Sequence, residues 1–244
     1  MTWIKICGIT NLEDAQAAVE AGADAVGFVF YEKSPRYIRP DVAREIVSAL
    51  PELVEKVGVF VEGSGFQPVD IARQVGLTAI QNTMGSLPSA AEPPKMVVAL
   101  AGFSRPPKLF LSFPAAWFFG GTEKIKELVE RFSHLRRDIS ERPAKPEGLF
   151  DTFFLDSSSL QKPGGTGRVF DWEKAVWVAD GMQERGFRLV VAGGLNPTNV
   201  AEAMRILKPW GVDVSSGVEA RPGKKDPEKV RAFIAAVRQA DRNL

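Results

Sequence analysis

The chain has 244 residues, with 31 Lys and Arg against 30 Asp and Glu and a formal net charge of +1, so no global field favours nucleic acid or an anionic membrane, and any anion site must be local. One Cys and one His exclude an internal disulfide and a protein-only zinc site of the usual kind, so no metal is expected. No apolar run approaches the roughly 18 residues that span a bilayer, and the N-terminus has no secretory pattern, so a cytoplasmic protein is expected.

The run TWIKIC (2–7) reads as a first strand. Alternate strand side chains share a face, so Trp3, Lys5 and Cys7 point one way and Ile4 and Ile6 the other. LEDAQAAVEAG (12–22) has apolar residues at helical spacing, with Asn11 as N-cap and Gly22 as stop. The alternation continues with strands at 24–30, 55–61, 77–82, 94–100, 151–156, 188–193 and 211–216. Helices fit 40–50, 68–76, 123–137, 170–186, 196–207 and 226–239, several opening on Pro or Asp. Such alternation argues for βα units and a parallel sheet, and eight strands argue for a single closed (β/α)8 TIM barrel over residues 1–244.

The irregular part is 83–150, where a fifth strand at 94–100 would be followed by a long, partly helical insertion over 101–150 between strands 5 and 6. Within it, RPPKLFLSFPAAWFFGG is too apolar for a free linker and is expected to pack on the barrel or on another copy of the chain. Monomer and homodimer both stay open.

In a barrel, Lys5 and Cys7 face the interior and the Ile pair faces the helices. A buried ammonium requires a carboxylate, and Asp213 in GVDVSS has the matching parity. Cys7 ends its strand before Gly8, at the mouth where barrel enzymes build their sites; it is either a small buried hydrophobe or a working thiol. Asp156 ends the sixth strand and is either a loop anchor or an acid partner to a thiolate base. After it, KPGGTGRVFDW is a glycine-rich loop able to cover a ligand. Arg36 in KSPRYI is a surface side chain or, through its planar fork, a carboxylate ligand. Gly193 and Gly194, after the seventh strand, could form a plain tight turn. Combined with Ser215, Ser216 and Gly217 after the eighth, they suit a phosphate, so a phosphorylated small-molecule substrate is expected. His134, in the insertion, reads as a solvated or capping residue.

KICGIT, GADAVGFVFYEKSPRYI, GGTGRVFDW, AGGLNPTNV and GVDVSSGVEARPGKKD together closely resemble the phosphoribosylanthranilate isomerase family of tryptophan biosynthesis, over nearly the whole chain and in order. The resemblance implies a (β/α)8 barrel that converts N-(5-phosphoribosyl)anthranilate into 1-(2-carboxyphenylamino)-1-deoxyribulose 5-phosphate, an Amadori rearrangement needing no cofactor. It implies Cys7 as general base, Asp156 as general acid, Arg36 on the anthranilate carboxylate, and Gly193, Gly194, Ser215, Ser216 and Gly217 around the phosphate. In the fourth-strand motif Gln81 is kept as a substrate-side residue, whereas Asn82 and Thr83 stand where the family carries Leu and His. Two other readings are a histidine-pathway type of phosphosugar isomerase, which usually has Asp where this chain has Cys7, and a barrel that binds a phosphate ligand without catalysis.

Overall fold

The computed structural model describes residues 1–62, 65–84, 100, 103–119, 127, 130, 151–157 and 169–243. Eight parallel strands close into a barrel in chain order: β1 Trp3–Cys7, β2 Ala25–Val29, β3 Glu55–Val61, β4 Ala79–Thr83, β5 Lys108–Pro114, β6 Thr152–Asp156, β7 Arg188–Val191 and β8 Gly211–Val214. The seam closes with Lys5 beside Asp213 in the β1–β8 register. Outside run α1 Leu12–Glu20, α2 Pro40–Ala49, α3 Pro68–Val75, α4 Val176–Gln183, α5 Val200–Leu207 and α6 Pro227–Asp241. A small antiparallel hairpin, β9 Glu219–Arg221 with β10 Lys224–Lys225, follows β8.

The helices start and stop where local chemistry directs. Asn11 Oδ1 accepts the Asp14 N–H at 2.9 Å, and Asp226 Oδ1 accepts that of Glu228 at 2.9 Å. Pro occupies the first turn of α2, α3 and α6, where its missing N–H costs nothing. The helix expected over 196–207 starts later, at Val200, because Asn196 first makes its own turn, its side-chain oxygen accepting the Thr198 N–H at 2.8 Å.

Strand parity divides the interior into two cores. Ile4, Ile6, Val26 and Phe28 join the core between strands and helices, whereas Cys7, Ala25, Val57, Ala79, Phe110 and Phe154 fill the barrel itself. The N-terminal end is sealed by aromatic rings: Trp3 stacks on Trp210 at 5.2 Å and meets Phe110 edge-on at 6.0 Å, with the Arg188 guanidinium over Trp210. The same end also carries Thr152, which is 2% exposed, and the Lys108–Glu55 ion pair at 2.7 Å.

The fifth strand differs from the sequence expectation. It is KLFLSFP, not PKMVVAL; residues 94–99 lie outside the described ones, and Leu100 is helical and buried in the outer core. Both runs have strand length and apolar character, and periodicity does not rank them. KLFLSFP fits because Phe110 points into the barrel while Leu109, Leu111 and Phe113 point outward under the helical layer. The segment expected to pack on the barrel is therefore part of its wall, and the connection to β6 begins at Ala115 with a single 3₁₀ turn. The helix expected over 123–137 lies outside the described residues except Glu127 and Glu130, which are helical; His134 and most of the glycine-rich loop, through 168, also lie outside them.

Candidate active site

At the C-terminal mouth a cavity of about 520 Å³ opens among the strand ends, a size that suits a small molecule. Cys7, Arg36, Gln81, Asp156, Gly193, Gly194, Ser215 and Ser216 all border it. Gly217 does not. A Cβ there would lie 1.9 Å from the Leu195 carbonyl oxygen, so this glycine lets the β8 loop press against the β7 loop and brings the two turns into one site. Gly193 and Gly194 adopt left-handed φ of 84° and 69°, and a Cβ on Gly193 would collide with Ser157.

β1 delivers the thiol. Cys7 is 8% exposed at the strand end, and Gly8, with φ 79°, turns the chain away so that its own N–H and that of Ile9 both donate to the Gly27 carbonyl at 2.9 Å. Gly27 is bare for a reason: a Cβ there would stand 2.8 Å from Cys7 Sγ and 3.0 Å from Lys5 Cε. Below Cys7, Lys5 is fully buried and donates to Asp213 Oδ1 at 2.9 Å, with its ammonium 5.3 Å from the Phe154 ring centre.

The electrostatics follow from this packing. Burial pushes the Cys7 thiol up; Lys5 and Lys225 favour the thiolate and Asp213 opposes it, and the net shift is upward. Burial works against the Lys5 ammonium as well, but Asp213 and Cys7 outweigh it and its pKa rises. Lys5 is thus the cation beside the thiol, without overcoming desolvation.

Arg36 reaches the mouth from the loop after β2 and is 8% exposed. Its Nε and Nη2 donate to the two carboxylate oxygens of Glu219, each at 2.8 Å, and Lys225 Nζ donates to Glu219 Oε1 at 3.0 Å and to the Ser215 carbonyl at 3.1 Å. Burial favours the neutral acid of Glu219, yet Arg36 and Lys225 hold its pKa below the ordinary value; burial pushes the Lys225 ammonium down against the attraction of Glu219. Among Lys5, Arg36, Lys225, Asp213 and Glu219, three cations face two carboxylates, an excess of one positive charge beneath a mouth that suits anions.

Glu219 and Lys225 were legible only as part of a motif. Their signal was the Pro-Gly turn in EARPGKK, which folds the segment back so that the two residues become cross-strand partners. On the far side, Gln81 and Thr83 of β4 border the cavity, and Ser112 of β5, at an inward position, is 1% exposed. Among the described residues Gln81 Oε1, Ser112 Oγ and Ser215 Oγ have no hydrogen-bond partner, and no group of three His, Cys, Asp or Glu side chains could hold a metal ion. Ser112 escaped the sequence reading because its strand was placed elsewhere. No described helix is long and apolar enough to cross a membrane.

Residues 4–87 and 122–236 match the family model described as N-(5'-phosphoribosyl)anthranilate isomerase. Curated proteins of that name from Chlorobaculum parvum and Geobacter sp. (strain M21) are 41% and 42% identical, covering 100% and 98% of this chain and 98% and 99% of their own lengths. The crystal structure of phosphoribosyl anthranilate isomerase from Thermotoga maritima is 38% identical with a TM-score of 0.71, covering 98% of this chain and 100% of that one. Another, in complex with reduced 1-(o-carboxyphenylamino)-1-deoxyribulose 5-phosphate, is 37% identical with a TM-score of 0.68 and the same coverage.

Proposed function

The chain belongs to the N-(5'-phosphoribosyl)anthranilate isomerase family, and from that premise we propose that it converts N-(5'-phosphoribosyl)anthranilate into 1-(2-carboxyphenylamino)-1-deoxyribulose 5-phosphate in tryptophan biosynthesis. The observation that carries this reading is the placement of a thiol and a carboxyl group, Cys7 and Asp156, on one cavity that is also bordered by the two glycine and serine turns.

The chemistry needs an acid and a base. Asp156 protonates the furanose ring oxygen, the C1–O bond breaks, and the sugar opens to a protonated Schiff base. Cys7 then takes the C2 proton, and the electrons left behind form the enolamine, which tautomerises to the ketone. Burial keeps Cys7 a thiol at neutral pH, so its thiolate is a minor species, but the high pKa makes that thiolate a strong base once formed. Both proton transfers use groups of the chain itself.

Around these two residues, Gly193, Gly194, Ser215 and Ser216 receive the phosphate through backbone N–H groups and hydroxyls, with Gly217 holding the two turns together. Arg36 receives the anthranilate carboxylate, and Gln81 borders the sugar from β4. The enzyme works in the cytoplasm, as a monomer or a homodimer.

The test follows the anthranilate fluorescence of freshly made phosphoribosylanthranilate. Wild-type protein should consume it, and Cys7→Ser and Asp156→Asn, with far-UV circular dichroism unchanged, should each lose about 10²- to 10⁴-fold in rate. A folded wild type without turnover would count against the isomerase reading.

A further inference from the structure

The fork of Arg36 is engaged from one side only. An arginine carries five N–H donors in a plane, and Glu219 takes the lateral edge, one hydrogen bond from Nε and one from Nη2, both at 2.8 Å. The end of the fork, with both Nη1 hydrogens and the second hydrogen of Nη2, is left over. Arg36 borders the mouth cavity and Glu219 does not, so the edge left over is the one a ligand can meet.

The carboxylate doing this is itself held fast. Glu219 Oε1 also accepts from Lys225 at 3.0 Å, and the same ammonium reaches the Ser215 carbonyl at 3.1 Å, tying the clamp to one of the turns at the mouth. The arginine stem is confined as well, since a Cβ on Gly8 would stand 2.6 Å from Arg36 Cδ. At the hairpin tip, Gly223 approaches so closely that its Cβ would lie 2.7 Å from the Pro35 carbonyl oxygen, and Thr10 Oγ1 donates to the Gly223 carbonyl at 2.6 Å. The β9–β10 hairpin is thus docked on the loop that carries Arg36.

We propose that Glu219, braced by Lys225, is a positioning residue: it fixes the plane of the Arg36 guanidinium and turns the end of its fork toward the carboxylate of the substrate. This rests on Arg36 as the carboxylate ligand. Glu219 contributes no binding contact of its own. It removes the orientational freedom that a lone arginine would lose on binding, and the Lys225 charge keeps the cluster attractive to an anion although Arg36 is already paired.

Isothermal titration with two ligands tests it: reduced 1-(2-carboxyphenylamino)-1-deoxyribulose 5-phosphate and the 1-phenylamino compound that lacks the carboxylate. Glu219→Gln should weaken the first about tenfold and change the second less than about twofold, with Lys225→Met giving a smaller loss of the same kind. A misfolded fraction would reduce the number of competent sites for both ligands alike. Glu219→Asp, which keeps the charge and shortens the reach, should lose the same selectivity even if Glu219→Gln does not fold. Equal weakening of both ligands by a folded Glu219 variant, or unchanged or tighter binding of the carboxylate ligand, would overturn the proposal. Arg36→Lys is the reference: equal loss on both ligands there would overturn the carboxylate role of Arg36, and this proposal with it.

Discussion

The two walls of the barrel mouth are built differently. Around β7, β8, β1 and β2, the buried charges are tied to one another, Lys5 to Asp213, and Arg36 and Lys225 to Glu219, all at 3.0 Å or less, although Ser215 Oγ there has no partner among the described residues. Around β4 and β5, Gln81 Oε1 and Ser112 Oγ are buried with no hydrogen-bond partner among the described residues, next to the Phe110 and Phe154 rings, which lie 5.6 Å apart. A wall of paired charges keeps its geometry without ligand, because moving any member strands another in a low dielectric. A wall of apolar rings and unpaired dipoles is packed rather than wired, and it tolerates change. The departure from the family's fourth-strand motif, at Asn82 and Thr83, lies at the end of β4, where Thr83 borders the cavity.

The sharpest way to break this contrast is to cut the wired side. Lys5→Met leaves Asp213 in the barrel without its cation and should destabilise the protein by about 3–5 kcal/mol, read as a lowered urea midpoint. A loss under about 1 kcal/mol would mean that the pair is not what holds this wall.

A second effect, of intermediate size, concerns the thiol. Because the Cys7 pKa is raised above its ordinary value of 9.0, the 240 nm thiolate absorbance, as the difference from Cys7→Ser, should appear only above that pH, and Lys5→Met should move it higher still. The linkage has a definite sign. The unfolded chain releases the Cys7 proton first, so the stability stored in the buried thiol is complete below 9.0 and is lost as pH rises through the folded value. A thiolate seen near neutral pH would contradict the dominance of burial.

The smallest effect is expected on the packed wall. Ser112→Ala removes a buried hydroxyl that has no partner among the described residues, so stability should change by no more than about 0.5 kcal/mol, or rise slightly. A loss above about 1.5 kcal/mol would show that this hydroxyl is bonded after all, and the two walls would then be alike.

Much of the wired wall was legible beforehand. The two-residue period of WIKIC put Lys5 and Cys7 inside and the Ile pair outside, and the same parity singled out Asp213 as the partner of Lys5, which the structure joins at 2.9 Å. Arg36 was legible as a fork suited to a carboxylate, but not as one already held by Glu219, because that pairing crosses from the β2 loop to the hairpin after β8. Ser112 was hidden altogether by the placement of its strand.

What the sequence alone determined is what short-range physics decides: parity within a strand, Asn11 as a helix cap, Pro or Asp at helix starts, and glycines at the ends of β7 and β8. Those preferences act within a few residues and need no neighbour. Only the tertiary structure decided that KLFLSFP rather than PKMVVAL closes the ring, and that Arg36, Glu219 and Lys225 meet. Two apolar runs of equal length are locally equivalent, and a charge selects its partner only when barrel closure has removed water and brought distant segments within hydrogen-bonding reach.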